Sequence, residues 1–274
     1  MTKSILQPGV EIHTLHSNIL GQKLLLFIKL PFDYNNEREC YPTLYCTDGN
    51  YYFPFYSTPS LIYEAPWYDA KKIMIVGIGY IIDDDRMKGL AQIIAWRTRD
   101  LTPISRDEVD KSWQSMLKTV FVETMQVRSG GANHFLESIV NEVIPFIETN
   151  YRAARLERGL AGYSLGGLFG LYTLFQSSGV FQNYFVGSPP IWQVLFDYEE
   201  RFARSHQDLN AKVFMSVGGD ETDFHESFNR MKERLESRAY PGLDLKTNIF
   251  MDETHASCTA SSISRALSWL YYSN

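Results

Sequence analysis

Dense apolar runs and amphipathic stretches alternate along the chain, and their periods predict the elements. VEIHTLHS (10–17) alternates in the manner of an exposed edge strand, and KLLLFIKL (23–30) is a denser apolar run. PTLYCTDGN (42–50) reads as a short buried strand closed by a Gly turn. KIMIVGIGY (72–80) is continuously apolar, as in a strand covered on both faces. From Asn133 the spacing becomes helical, with Phe135, Ile139, Val140, Val143, Ile144 and Ile147 three to four apart; Pro145 should kink or loosen that helix. Strand and helix signals then take turns: RGLAGYS, LGGLFGLYTLFQ, NYFVGS, IWQVLFDYEERFAR, AKVFMSVGG, ESFNRMKERLESR, LKTNIFM and ASSISRALSWLYY. Antiparallel-looking strands followed by repeated βα units imply a mostly parallel sheet with helices on both faces, in the order of an α/β-hydrolase.

Residues 82–131 break the rhythm. They hold DDDR, AWRTRDLTPISRDE and the glycine pair of RSGGAN, and no single period runs through them. The expectation is a long inserted or lid region lining the active site, with one short helix around Trp113 to Val122. No repeat, low-complexity segment or linker appears, so residues 1–274 are read as a single domain.

Bulk composition narrows the function classes. At 45% hydrophobic and 21% charged residues, the chain is an ordinary globular protein with a large core. A net charge of −6 without any Lys/Arg-rich block argues against nucleic acid or an anionic membrane as partner. No 18-residue apolar run and no leader-like N-terminus is present, so the expected compartment is the cytoplasm. Cys40, Cys46 and Cys258 are odd in number and lack metal-ligand spacing, which suits free thiols.

The chemistry centres on GLAGYSLGGLFG (159–170). Gly162-Tyr163-Ser164-Leu165-Gly166 matches G-x-S-x-G between a strand and a helix, the context a nucleophile elbow requires. Small neighbours let Ser164 sit on a sharp, strained turn, with the N-terminus of the next helix, and the Leu165 N–H, facing a developing oxyanion. A serine needs a base, and the fold places the acid and then the histidine after it. Of six histidines, His225 and His255 follow plausible acids. His255 lies in NIFMDETHASC, between the last strand and the last helix, whereas His225 falls in a helix's first turn, where the dipole disfavours imidazolium. Asp220, Glu221 and Asp223 compete as the acid, and spacing alone does not choose among them. The loop after PTLYC offers the N–H groups of Gly49 and Asn50 as a second oxyanion donor.

Several segments resemble the putative-esterase family of α/β-hydrolases, and its siderophore (enterobactin-type) esterase branch in particular. The likeness runs through YCTDGNYYF, RTRDLTP, SGGANHFLESIVNEVIPFIETNYR, AGYSLGGLFGLY, GSPPIW and ETHASC. It implies a serine carboxylic-ester hydrolase with Ser164 as nucleophile and His255 as base, acting on a small ester or lactone through an acyl-enzyme, with no metal or organic cofactor. The family's acid commonly lies three residues after the glycine closing the preceding strand; counted from Gly218, that is Glu221. The D-G-x turn favours Asn50 as the second oxyanion donor. The family's S-P-S-L-W-W pattern appears here as Ser188-Pro189-Pro190-Ile191-Trp192-Gln193, so one pocket wall is altered. Arg97 is the residue of the inserted region best suited to an anionic or catechol-like substrate group, and Trp96 and Trp192 are candidate aromatic walls. An acyltransferase using the same triad, or a binding protein that keeps the fold without turnover, are the alternatives.

Overall fold

The computed structural model describes residues 9–35, 38–65, 67–68, 70–121 and 125–272. Eight strands form one sheet: β1 (Val10–Ser17), β2 (Gln22–Lys29), β3 (Tyr41–Cys46), β4 (Met74–Tyr80), β5 (Ala153–Tyr163), β6 (Asn183–Gly187), β7 (Ala211–Gly218) and β8 (Leu243–Phe250). Their spatial order is β1-β2-β4-β3-β5-β6-β7-β8. The β1–β2 and β2–β4 pairs are antiparallel and every pair from β4–β3 onward is parallel, as the sequence pattern predicts.

Position in the sheet explains the composition of each strand. On the edge strand β1, Ile12 is 59% exposed, whereas β3 and β4 are buried at every residue. Successive residues of the central strands feed two different cores. Tyr184, Val186, Val213 and Met215 enter one cluster; Phe185 and Phe214, between them in sequence, enter the other. The first core is covered by α6 (Leu165–Gln176), by α7 (Gln193–Ser205) and by the run α4 (Ala132–Ser138) to α5 (Ile144–Asn150). The second lies under α1 (Gly49–Tyr63) and α9 (Cys258–Leu267). Helix α6 is buried from Leu165 to Phe175, which accounts for the apolar LGGLFGLYTLF.

The helices depart from the sequence expectation in three places. α1 was not expected, because Pro54 and Pro59 lie inside it and remove two backbone donors. The segment 82–131, expected to be irregular, carries α2 (Arg86–Asp100) and α3 (Asp107–Met116), and the expected helix from Trp113 instead begins at Asp107. It continues as a π-helical turn (Leu117–Phe121), and Val122 lies outside the described residues. Around Pro145 the helix does loosen. Ile139–Val143 winds as a π-helix and α-geometry resumes at Ile144 with proline in its first turn, where the missing N–H costs nothing.

One buried ion pair braces the fold away from the strand ends. Lys29 Nζ, at the end of β2, donates to Glu64 Oε2 at 2.5 Å and to Ser60 Oγ at 3.1 Å, and neither charged side chain is exposed. Glu64 also accepts from the Ile73 N–H at 3.0 Å, which joins α1 to the start of β4.

Candidate active site

The chain ends of β3, β5, β6, β7 and β8 converge at the C-terminal edge of the parallel strands, where an open α/β sheet forms its binding crevice. Each contributes a residue.

Ser164 follows β5 with φ 60° and ψ −122°, a region that L-residues occupy only under strain. Its backbone is held on both sides: its N–H donates to Gly187 O at 2.8 Å, and its carbonyl accepts from Leu168 at 3.1 Å. The neighbouring glycines are required by contact. A Cβ on Gly162 would lie 2.1 Å from Gly166 O, and one on Gly166 would lie 2.3 Å from Thr47 Oγ1. The turn thus folds back on itself, and the start of α6 sits against the turn that ends β3.

That second turn has the same character. Asp48 takes a left-handed φ of 55° and caps α1, with Tyr51 and Tyr52 N–H bonded to its carbonyl. The first N–H groups of a helix have no intrahelical partner, so Leu165 on α6 and Asn50 on α1 both offer backbone donors at adjoining helix starts. The Asn50 side chain clamps the end of β4: Nδ2 donates to Tyr80 O at 3.0 Å, and Tyr80 N donates to Oδ1 at 2.7 Å. The Asp48 carboxylate, fully buried, accepts Arg97 Nε at 2.9 Å and Nη2 at 3.0 Å. Burial works against the Arg97 charge, but Asp48 outweighs it and holds the guanidinium above its ordinary pKa.

Three carboxylates compete for the histidine by sequence, and the geometry separates them. Asp220 and Asp223 are exposed, while Glu221, 9% exposed, bonds His255 Nδ1 through Oε1. Its other oxygen, Oε2, accepts Gly218 N–H at 2.6 Å and Ser188 Oγ at 2.7 Å. Burial pushes the Glu221 carboxyl up, but the bonds from His255, Ser188 and Gly218 together outweigh it and leave the pKa below the usual carboxylate value. With Nδ1 donating to the carboxylate, the imidazole carries its lone pair on Nε2. The ring packs edge-on against Phe224 at 5.7 Å and tilted against Tyr163 at 5.2 Å. Among the described residues no hydrogen bond joins Ser164 to His255. The competing His225 donates Nε2–H to Gly218 O at 2.9 Å.

A cavity of about 270 Å³ opens beside His255, lined by Asp220 to Phe224 and Thr254. Arg97, Trp96 and Trp192 do not line it. Arg97, expected to face a substrate anion, turns both Nε and Nη2 to Asp48. Trp96 packs on Tyr80 at 5.6 Å, and Trp192 carries the Arg106 guanidinium over its ring at 4.8 Å. No group of three or more His, Cys, Asp or Glu side chains among the described residues is placed to hold a metal ion. Sequence reasoning placed Ser188 only in a pocket-wall segment and Asp48 only in a turn, and assigned neither a bond in the site. The bonds they make span 33 and 49 positions of chain, which local sequence does not display.

An eight-stranded sheet in this order, with a strained serine at the turn from its fifth strand into a buried helix, defines the α/β-hydrolase class. The family model described as Putative esterase matches residues 101–241, just over half of the chain. The chain belongs to the putative esterase family, and it is a carboxylic-ester hydrolase. It is 25% identical to the ferri-bacillibactin esterase BesA of Bacillus subtilis over 95% of this chain and 89% of that protein. It is 29% identical to the siderophore triacetylfusarinine C esterase of Aspergillus fumigatus over 64% of this chain and 54% of that protein. Among solved structures, the BES protein from Bacillus cereus superposes with a TM-score of 0.80 at 26% identity, covering 98% of this chain and 97% of that one.

Proposed function

We propose that the chain is a serine esterase whose triad is Ser164, His255 and Glu221, and that its substrate is a small ester or lactone of siderophore type. The observation that carries the mechanism is the Glu221–His255 bond, which comes from the β7 and β8 ends toward a strained serine at the end of β5. His255 Nε2 takes the proton of Ser164 Oγ as that oxygen attacks the ester carbonyl. The N–H groups of Leu165 and Asn50 hold the resulting oxyanion. Collapse breaks the ester C–O bond, the leaving alcohol takes the proton from His255, and an acyl-enzyme remains. Water, deprotonated by the same imidazole, then releases the acid and restores Ser164. Glu221 holds the imidazole in the right tautomer and stabilises its cation.

The substrate class rests on the relatives, since two are named for esters of iron-chelating molecules. Within the site, Arg97 of α2 is assigned to bracing the Asp48 turn, and the chain is taken as a single domain.

The test pairs two measurements. Steady-state hydrolysis is measured on aryl esters of graded acyl length beside a ferric triscatecholate trilactone and a ferric hydroxamate ester. The protein is also treated with an organophosphate and its adduct mapped by mass spectrometry. The adduct is expected on Ser164, and Ser164→Ala is expected to lose both labelling and turnover, by roughly 10³-fold or more. Full turnover in Ser164→Ala overturns the mechanism; aryl esters cleaved with both iron complexes untouched overturn the substrate class.

A further inference from the structure

The bonds around Glu221 close into a ring that the triad reading does not use. Glu221 Oε1 meets His255 Nδ1; the His255 carbonyl accepts Tyr163 Oη at 2.7 Å; Tyr163 Oη lies 2.9 Å from Ser188 Oγ; and Ser188 Oγ lies 2.7 Å from Glu221 Oε2. Four segments meet in this ring: the β7–α8 turn (α8, Thr222–Arg238), the β8–α9 loop, the residue before the nucleophile, and the end of β6. We infer that Ser188 is a positioning residue of the reaction, holding the acid and the base in register through its hydroxyl. This inference rests on the triad proposed above.

Two features set Ser188 apart from a buried serine that merely satisfies itself. Its backbone lies at φ 38°, a conformation that glycine adopts more readily, so what serine adds at this position is its hydroxyl. The residue is fully buried, and its N–H donates to Ser216 O at 2.7 Å, so the hydroxyl sits on a fixed backbone. The preceding residue, Gly187, accepts the Ser164 N–H. One dipeptide at the end of β6 therefore holds the nucleophile's backbone and the acid's second oxygen.

Proton counting gives the ring a direction. Two hydroxyl protons serve three contacts. The bond from Ser188 to the ionised Glu221 is charge-assisted and takes the serine proton. The Tyr163 proton goes to the His255 carbonyl, and the Tyr163 oxygen is the weaker second acceptor of the serine proton. Removing the Ser188 hydroxyl leaves Glu221 Oε2, among the described residues, with only the Gly218 N–H, and leaves Tyr163 without its link to the acid.

The experiment compares Ser188→Ala and Ser188→Gly, the second of which suits the positive φ and guards against misfolding in the first. Each is made in the wild-type and Glu221→Gln backgrounds, with Ser164→Ala as reference. Expected on an aryl ester is a fall in kcat of about tenfold or more, as for loss of a hydrogen bond to a charged group, with KM within about twofold. The downfield proton resonance of His255 Nδ1–H is expected to move or vanish. In the Glu221→Gln background the Ser188 change is expected to add little, because it acts through that carboxylate. Wild-type kcat in either folded Ser188 variant, or a full additional loss beside Glu221→Gln, overturns the role of Ser188. Turnover surviving Ser164→Ala instead overturns the triad itself, so the two failures are distinguishable.

Discussion

Glu221 stays ionised against its own burial. Its pKa lies below the usual carboxylate value because His255, Ser188 and Gly218 all stabilise the anion. A group whose pKa is depressed on folding stabilises the protein above its unfolded value, about 4.3 for Glu, and that contribution is lost as pH falls through the lower folded value. Wild type is therefore expected to melt above Glu221→Gln at neutral pH, with the gap closing below about pH 4. The same variant is expected to lower kcat by roughly 10³- to 10⁴-fold, since the amide no longer fixes the imidazole tautomer. Melting curves at stepped pH and steady-state kinetics check the two halves separately. Which residues were legible follows from locality. Ser164 and His255 sit in short contexts, a strand-to-helix glycine turn and a strand-to-helix loop, that the chain displays directly. By residue type and spacing Asp220, Glu221 and Asp223 look alike, so Glu221 was reached through the family resemblance, and a bond across 34 positions to His255 sets it apart in the structure. Arg97 looked available because its partner Asp48 is 49 positions away.

At the scale of elements, the β5–α6 unit depends on backbone approaching backbone. Gly162→Ala would bring a Cβ within 2.1 Å of Gly166 O, an atom with no side-chain freedom to move away. A loss of about 1–3 kcal/mol or more is expected from such overpacking, together with loss of activity as the turn shifts. Gly170→Ala, in the middle of the same helix, meets Val186 Cγ2 at 3.4 Å, an ordinary contact. It is expected to be neutral, or to stabilise by up to about 1 kcal/mol through helix propensity. Denaturant melts of the two variants check the contrast. Strands and amphipathic helices with clear periods could be read from the chain. α1 could not, because its two internal prolines resemble breakers, yet its packing over β4 holds it helical. α2 and α3 were hidden by a different cause: α3 buries no residue, and the buried face of α2 is built from Gly89, Ala91, Ala95, Arg97, Thr98 and Asp100 with Ile93 as its one large apolar residue, so neither presents a continuous apolar stripe.

For the whole molecule, the sheet order follows from chain chemistry. Short apolar strands joined by helical crossovers must pair in parallel, and right-handed crossovers place helices on both faces. The assignment of successive residues to opposite cores, Val213 and Met215 against Phe214, is the three-dimensional form of an apolar run that shows no alternation in sequence. The Lys29–Glu64 pair, closed off inside this assembly, has a practical consequence. Lys29 has no exposed side-chain surface, while Lys71 and Lys88 are about half exposed. Burial lowers the Lys29 pKa, but Glu64 and Ser60 hold its protons, so the ion pair and the lack of access together restrain it until the fold opens. Under an acylating reagent, Lys71 and Lys88 are expected to be modified within the first exposure, and Lys29 only as fast as the sheet and α1 come apart. Peptide-resolved mass spectrometry of a labelling time course would make this one amine a clock for that opening, readable in native buffer without denaturant or substrate.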